Sequence, residues 1–192
     1  AFSCMGHPVV KTPNLDRIAR EGALFRNTFV TTSLCSPSRA SFLTGQYAHT
    51  HGVVTNHTMW NDRNVTFLEL VKKAGYDTAF IGKWHMPGNR LPQLRGVDEF
   101  ITFTKEGGQG VYYDCPLIIN GIETPRPGKY ITNDLTDFAL RFIEKKRKNP
   151  FCLYLSHKAV HFGFRPPEHL KTLYEGQDLH LPPESDTWVT LT

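Results

Sequence analysis

Two apolar runs in this sequence end in the same way. "YDTAFIGKWH", 76–85, and "PFCLYLSHKAVH", 150–161, each pass from aromatic and aliphatic residues straight into lysine and histidine. Short apolar runs bounded by Gly75 or Pro150 read as buried strands. A helical pattern precedes each. In "TFLELVKKAG", 66–75, Thr66 and Glu69 form a capping box and Gly75 closes the helix. In "TNDLTDFALRFIEKKRK", 132–148, Leu135, Phe138, Ala139, Phe142 and Ile143 make one apolar stripe. Asp134 and Asp137 lie early in that helix and "KKRK" lies late, as the helix dipole favours, so the basic run reads as a solvated helix end. Helix, strand, helix, strand predicts an α/β fold with a mainly parallel central sheet flanked by helices. Sites in open α/β sheets form outside the carboxyl ends of the strands. Lys83 and His85 after one strand, and His157, Lys158 and His161 after the other, are therefore expected to share one site.

Earlier in the chain, "TPNLDRIAREG", 12–22, predicts a helix capped by Thr12, with Pro13 at its first position and Gly22 at its end. "ALFRNTFV", 23–30, reads as a strand or extended turn. "LCSPSRASFLTG", 34–45, predicts another helix, with Cys35 or Ser36 as cap, Pro37 in the first turn and Gly45 at the exit. "HTHGVVTNH" reads as loop, as does most of 86–129, apart from a short hairpin around Asn120-Gly121.

The "CSPSR" start is where the chemistry concentrates. A cysteine at a helix N-terminus faces unpaired N–H groups, which favour anions and the thiolate. Arg39, four residues on, lies on the same helix face and can turn toward the same space. That pair describes a nucleophile that handles an anion. The plain alternative is a buried thiol beside a surface arginine, and spacing alone leaves the two even. Likewise Lys83 and His85 could be the exposed neighbours of a core Trp84, and the 157–161 loop a solvated turn. Three such explanations must then account for every strong strand ending in cations.

Weaker candidates are His49, His51 and His57, whose spacing suits a metal but which have no cysteine or carboxylate close by. Tyr112 and Tyr113 read as packing residues. Phosphate-loop, dinucleotide and Gly-x-Ser-x-Gly patterns are absent from the sequence. The 192 residues suit one domain of globular composition, 40% hydrophobic and 21% charged. A net charge of +4 spread along the chain suits an anionic small substrate and gives little support to a nucleic-acid surface. No apolar run is long enough to span a membrane. The four cysteines have neither C-x-x-C spacing nor the density of a disulfide scaffold. The chain opens at Ala1 on loop-like "SCMGHP" and ends in "DTWVTLT" without a closing element, so both ends read as cut.

"CSPSR" followed by "ASFLTG", and "GYDTAFIGKWH" at 75–85, resemble the two signatures of the formylglycine-dependent (type I) sulfatases of the alkaline phosphatase superfamily. "TPNLDRIAREG" is similar to that family's segment ahead of the nucleophile, and "YLSHKAVHFGFRPPE" to the loop carrying its later histidine, with Val160 where proline is common. The likeness covers nearly the whole chain. It implies a sulfuric ester hydrolase in which Cys35 is oxidised to formylglycine by a formylglycine-generating maturation enzyme. The hydrated aldehyde attacks sulfur and expels the alcohol, and the second hydroxyl then loses its proton to release sulfate. On this resemblance Arg39 holds the diol, Lys83 grips the diol and a sulfate oxygen, His85 takes the proton of the collapse, and His161 assists the leaving alcohol. Lys83 and His161 would also bind substrate. The family's divalent cation, Ca²⁺ in preference to Mg²⁺, would meet Cys35 as formylglycine. Its other ligands would lie outside the chain, which reads as an internal fragment, 1–192, of the catalytic domain. The first strand and the later metal-ligand segment would be missing, and this fragment alone would be inactive. The flow from "SPSRASFLTGQYAHTHGV" through "VYYDCPLIINGIE" resembles bacterial sulfatases of sulfated glycans, and "NHTMWND" the N-acetylglucosamine-6-sulfatase-like branch. The family resemblance thus implies a sulfated glycan as substrate and a periplasmic or secreted enzyme. Two other readings stay open. One is a phosphonate monoester or phosphodiester hydrolase on the same scaffold. The other is a non-catalytic binding module with unmodified Cys35. A cysteine hydrolase is a more distant third.

Overall fold

The structure, a computed structural model, describes residues 2–88 and 92–179, so "DTWVTLT" lies outside the described residues. The chain forms two compact units, one drawn from the stretches before Val30 and after Arg165, the other being Val30–Arg165.

In the first unit, α1 (Pro13–Glu21) starts with proline, as expected. Thr12 makes no capping bond to the helix backbone. Its hydroxyl instead donates to Asp16 at 3.1 Å, and Asp16 also accepts from the Ser3 hydroxyl and the Cys4 N–H. Of the strand or extended turn expected at 23–30, no strand forms. This stretch is irregular, with Phe25 and Phe29 exposed. Its aromatics find no neighbouring strand, and β-propensity without a ladder partner does not make a strand.

The second unit holds a five-stranded sheet. Its helices are α2 (Cys35–Thr44), α3 (Ala48–His51), α4 (Phe67–Lys73) and α5 (Ile131–Glu144). Its strands are β1 (Asp77–Gly82), β2 (Glu99–Thr102), β3 (Leu117–Ile119), β4 (Ile122–Thr124) and β5 (Phe151–Ser156). The order is β4-β3-β2-β1-β5. β1 runs parallel to β2 and to β5, while β3 is antiparallel to both β2 and β4. The sheet is therefore mixed, and the expectation of a mainly parallel sheet is corrected. The cause is local. β2 lies inside a stretch that reads as loop, and the Asn120-Gly121 hairpin attaches to its free edge. The Asn120 N–H donates to the Phe100 carbonyl and the Asn120 Oδ1 accepts the Phe100 N–H, both at 2.8 Å. A two-residue turn can only return a strand antiparallel.

Alternation along β1 sorts the core into two layers. Ala79 and Ile81 pack with Ile101, Leu117, Leu135, Ala139 and Phe142 on the side of α5. Phe80 packs with Ala40, Leu43, Leu68, Trp84 and Phe100 on the side of α2 and α4. Each fully buried side chain of this kind contributes about 1.5–3 kcal/mol. The capping expectation at α4 holds on one side, since Thr66 accepts the Glu69 N–H at 3.3 Å. α5 stops at Glu144, before the basic run. "KKRK" is thus past the helix rather than its solvated end. Lys145 pairs with Glu99, and Arg147 lies over the rings of Phe142 and Phe151. Asp134 is buried rather than a surface dipole partner, because Arg126 clasps it with two bonds of 2.5 and 2.7 Å. The 49–57 stretch contains α3 where loop was expected. All four cysteines are free. Among the described residues no helix is long and apolar enough to cross a membrane.

Candidate active site

β1 and β5 run side by side and end together, with Gly82 opposite Ser156. The approach is so close that a Cβ on Gly82 would lie 1.8 Å from the Ser156 carbonyl oxygen. Only glycine fits, and it sits at φ +120°, where other residues are strained. The Lys83 N–H then donates to the Ser156 carbonyl at 2.7 Å. The two loops that follow, one bearing Lys83 and the other His157, Lys158 and His161, leave the sheet from one edge.

α2 brings Cys35 to the same place. Its N-cap is Leu34, not Cys35 or Ser36. Ser36 cannot cap because its buried hydroxyl donates to the His85 carbonyl at 2.6 Å, tying the helix start to the loop after β1. Cys35 is the first helical residue. Of the N–H groups that follow, that of Ser36 donates to Asn56 Oδ1 at 2.9 Å, and Pro37 has none. The helix start therefore offers few spare donors, and the positive character of the site must come from side chains.

A cleft of about 590 Å³ opens here, lined by Cys35, Arg39, Lys83, His157, Lys158 and His161 among others, and among the described residues no carboxylate lines it. Arg39 is held by two 2.6 Å bonds from Nη1, to the Lys83 carbonyl and to Ser156 Oγ. Lys83 is buried, and its ammonium donates to Gln109 Oε1. Burial, with Arg39 nearby, pushes its pKa down to about 8. Lys158, also buried, donates to the Gln109 carbonyl at 3.1 Å and lies over the Tyr112 ring. The Tyr112 hydroxyl in turn donates to the His161 carbonyl at 2.7 Å. His161 stands at the cleft wall with Nδ1 3.3 Å from the Phe162 carbonyl.

Of the five expected site residues, Cys35, Arg39, Lys83 and His161 line one cleft. His85 lines the adjoining hollow of about 530 Å³ instead. The strand ends at Gly82 and His85 adopts φ +53°, so the two-residue alternation that would put Lys83 and His85 on one side is broken. Gln109 links them: its Nε2 lies 3.0 Å from His85 Nε2. Burial, then the charges of Lys83 and Arg39, push the His85 pKa down to about 4. The ring is neutral at ordinary pH.

Gln109, Ser156, Asn56 and Tyr112 are missing from the sequence-based site. The one available signal for Gln109 is the glycine density of "KEGGQG". A Cβ on Gly108 would come within 3.0 Å of His85, and one on Gly110 within 2.6 Å of Phe103. His49, His51 and His57 do not assemble. His51 is buried with both ring nitrogens engaged, by Ser41 and by the Val53 N–H, and His49 stacks on Tyr47. Among the described residues no group of three or more His, Cys, Asp or Glu could hold a metal ion. A hard divalent cation asks for several oxygen ligands, and of the ligands expected for Ca²⁺ or Mg²⁺ residue 35 alone was placed within this chain.

A sequence model described as Sulfatase matches residues 1–181. The chain is 40% identical over 172 residues to an N-acetylglucosamine-6-O-sulfatase of Bacteroides thetaiotaomicron, covering 88% of this chain and 30% of that protein. It is 33% identical over 194 residues to an ulvan-active sulfatase of Formosa agariphila, covering 95% and 37%. A solved structure of BT4656 in complex with its substrate D-glucosamine-2-N,6-O-disulfate superposes with a TM-score of 0.80 at 35% identity, covering 92% of this chain and 38% of that one. The chain thus spans about a third of the length of the curated relatives it matches.

Proposed function

The chain belongs to the sulfatase family, and from that premise we propose that the complete enzyme hydrolyses sulfate esters of carbohydrates in this cleft. Cys35, oxidised to an aldehyde by a maturation enzyme, supplies the attacking oxygen as its hydrate. The observation that carries the reading is the wall of the cleft. Arg39, Lys83, Lys158 and His161 line it together with Cys35. Such a wall stabilises charge growing on sulfate oxygens in a site that holds its donors fixed.

Arg39 is anchored through Nη1, which holds its guanidinium in the cleft that Cys35 lines. Lys83 binds a sulfate oxygen. His161, with its main chain fixed by Tyr112, meets the leaving alcohol. His85, neutral at working pH, accepts the proton lost when the aldehyde reforms. The similarity to an N-acetylglucosamine-6-O-sulfatase makes a 6-sulfated glucosamine the substrate to try first. An enzyme acting on sulfated polysaccharide belongs in the periplasm or outside the cell, which fractionation of the source cells checks.

The test uses full-length enzyme, offered N-acetylglucosamine 6-sulfate beside an aryl phosphodiester. Sulfate release, together with a residue-35 peptide lighter than its cysteine form, is expected. Cleavage of the phosphodiester alone, or an ordinary thiol at residue 35 in an active preparation, overturns the reading.

A further inference from the structure

We propose that Gln109 is a positioning residue that sets the tautomer of His85 against the charge of Lys83, an inference that rests on this cleft being the sulfate-ester site. The argument follows from donors and acceptors. A lysine ammonium has only donors, so the oxygen of the Gln109 amide must be the atom facing it. The amide nitrogen is then left facing His85 Nε2 at 3.0 Å. That nitrogen carries two hydrogens and no available lone pair, so His85 Nε2 must accept. Neutral His85 therefore carries its proton on Nδ1, a buried atom with no hydrogen-bond partner among the described residues. A doubly protonated ring would set N–H against N–H. Gln109 thus holds the lysine charged and the histidine neutral with one side chain.

The amide is in turn held in place. The Gln109 carbonyl accepts from Lys158, and the Gln109 N–H donates to the Glu106 carbonyl at 3.2 Å. Glycines at 108 and 110, both at positive φ, bring the loop against His85 and Phe103, where a Cβ would collide. The consequence is chemical. In this tautomer the one ring lone pair sits on Nε2, so any proton that His85 accepts must enter there. To receive it, the Gln109 amide must turn its oxygen to the new N–H. That turn sets its nitrogen against the Lys83 ammonium. Protonated His85 is kept short-lived while Lys83 is charged, which favours passing the proton on. Lys83, Arg39 and His161 all raise the cost of its cation, and His57 and Glu106 line the same hollow.

Gln109→Glu in full-length enzyme tests this. It keeps an acceptor for Lys83 but puts a second acceptor against His85 Nε2, which favours the imidazolium. The acid limb of kcat/KM is expected to move up by about one pH unit or more. An unmoved limb in a folded variant overturns the proposal. A second measurement needs no variant at position 109. In ¹⁵N-histidine-labelled wild-type enzyme, with His85 assigned by its loss in His85→Gln, Nδ1 should be protonated and Nε2 bare at neutral pH. The opposite tautomer, or an imidazolium, overturns it. Wild-type enzyme that releases no sulfate would sink the functional reading instead, while the tautomer measurement would still decide the role of Gln109.

Discussion

Arg39 and Ser156 stand 117 positions apart in the chain and meet in a 2.6 Å hydrogen bond. The bond joins the first turns of α2 to the end of β5, and the same guanidinium nitrogen reaches the Lys83 carbonyl beyond β1. One side chain therefore locks together the three segments that supply the cleft.

Substituting Arg39→Lys should remove that lock while keeping the charge. An ammonium cannot reproduce the planar fork of a guanidinium. In full-length enzyme kcat/KM for the sulfate ester is expected to fall roughly 100-fold, the scale of one lost oxyanion donor. Ser156→Ala, which breaks one anchor and leaves the guanidinium in place, should cost less. Equal activity in Arg39→Lys and wild type would show that charge alone suffices.

Lys83 is useful as a cation, and its pKa is lowered to about 8 by burial and by Arg39. The charged form is thus present below about 8 and lost above it. The pH profile of kcat/KM should fall on the alkaline side near that value. Lys83→Ala should lower turnover by roughly 100-fold or more across the whole range. An alkaline limb no lower than 10, measured with free enzyme, would contradict the perturbed ammonium.

His85 makes stability depend on pH. Its pKa in the folded protein is about 4, against an ordinary value of 6.5 in the unfolded chain. Between those values the unfolded state binds the proton and the folded state does not, so the contribution is whole above 6.5 and drains away as pH falls toward 4. Urea denaturation of full-length enzyme at pH 7, 6 and 5 should show this loss. The His85→Gln variant should lose less over the same window. Parallel losses in the two proteins would place the acid sensitivity elsewhere.

Away from the cleft, Arg126 grips buried Asp134 through two nitrogens, with the carboxylate side chain 3% exposed. Removing one partner of such a pair leaves a buried charge. Arg126→Ala should destabilise by about 3–5 kcal/mol. Adding Asp134→Asn to it should recover part of that, because an amide is cheaper to bury unpaired. Chemical denaturation of Arg126→Ala, Asp134→Asn and the double variant beside wild type would measure the coupling, and simple additivity would show that the pair is not coupled.

Much of the site was written in local pattern. Cys35 and Arg39 are spaced by one helical turn, and Lys83 and His161 follow apolar strands, so short-range periodicity was enough to nominate them. The same periodicity failed at His85, whose positive φ reflects packing against the 108–110 glycines rather than its neighbours in sequence. It failed again at β2, four residues whose strand character comes from lying between β1 and β3. Asn56, Gln109 and Ser156 carry ordinary side chains in ordinary contexts, and only the partner across space gives each a role.

By itself, then, the sequence determined α1, α2, α4 and α5, the strands β1 and β5, the apolar faces these bury and the cationic ends of the two strands, because these depend on contacts within a turn or a pleat. Tertiary structure alone decided that the sheet is mixed, that His85 turns into its own hollow, and that Gln109 ties it back to Lys83. Those outcomes depend on which distant segment wins each edge and each hydrogen bond, a competition between groups that the order of residues does not rank.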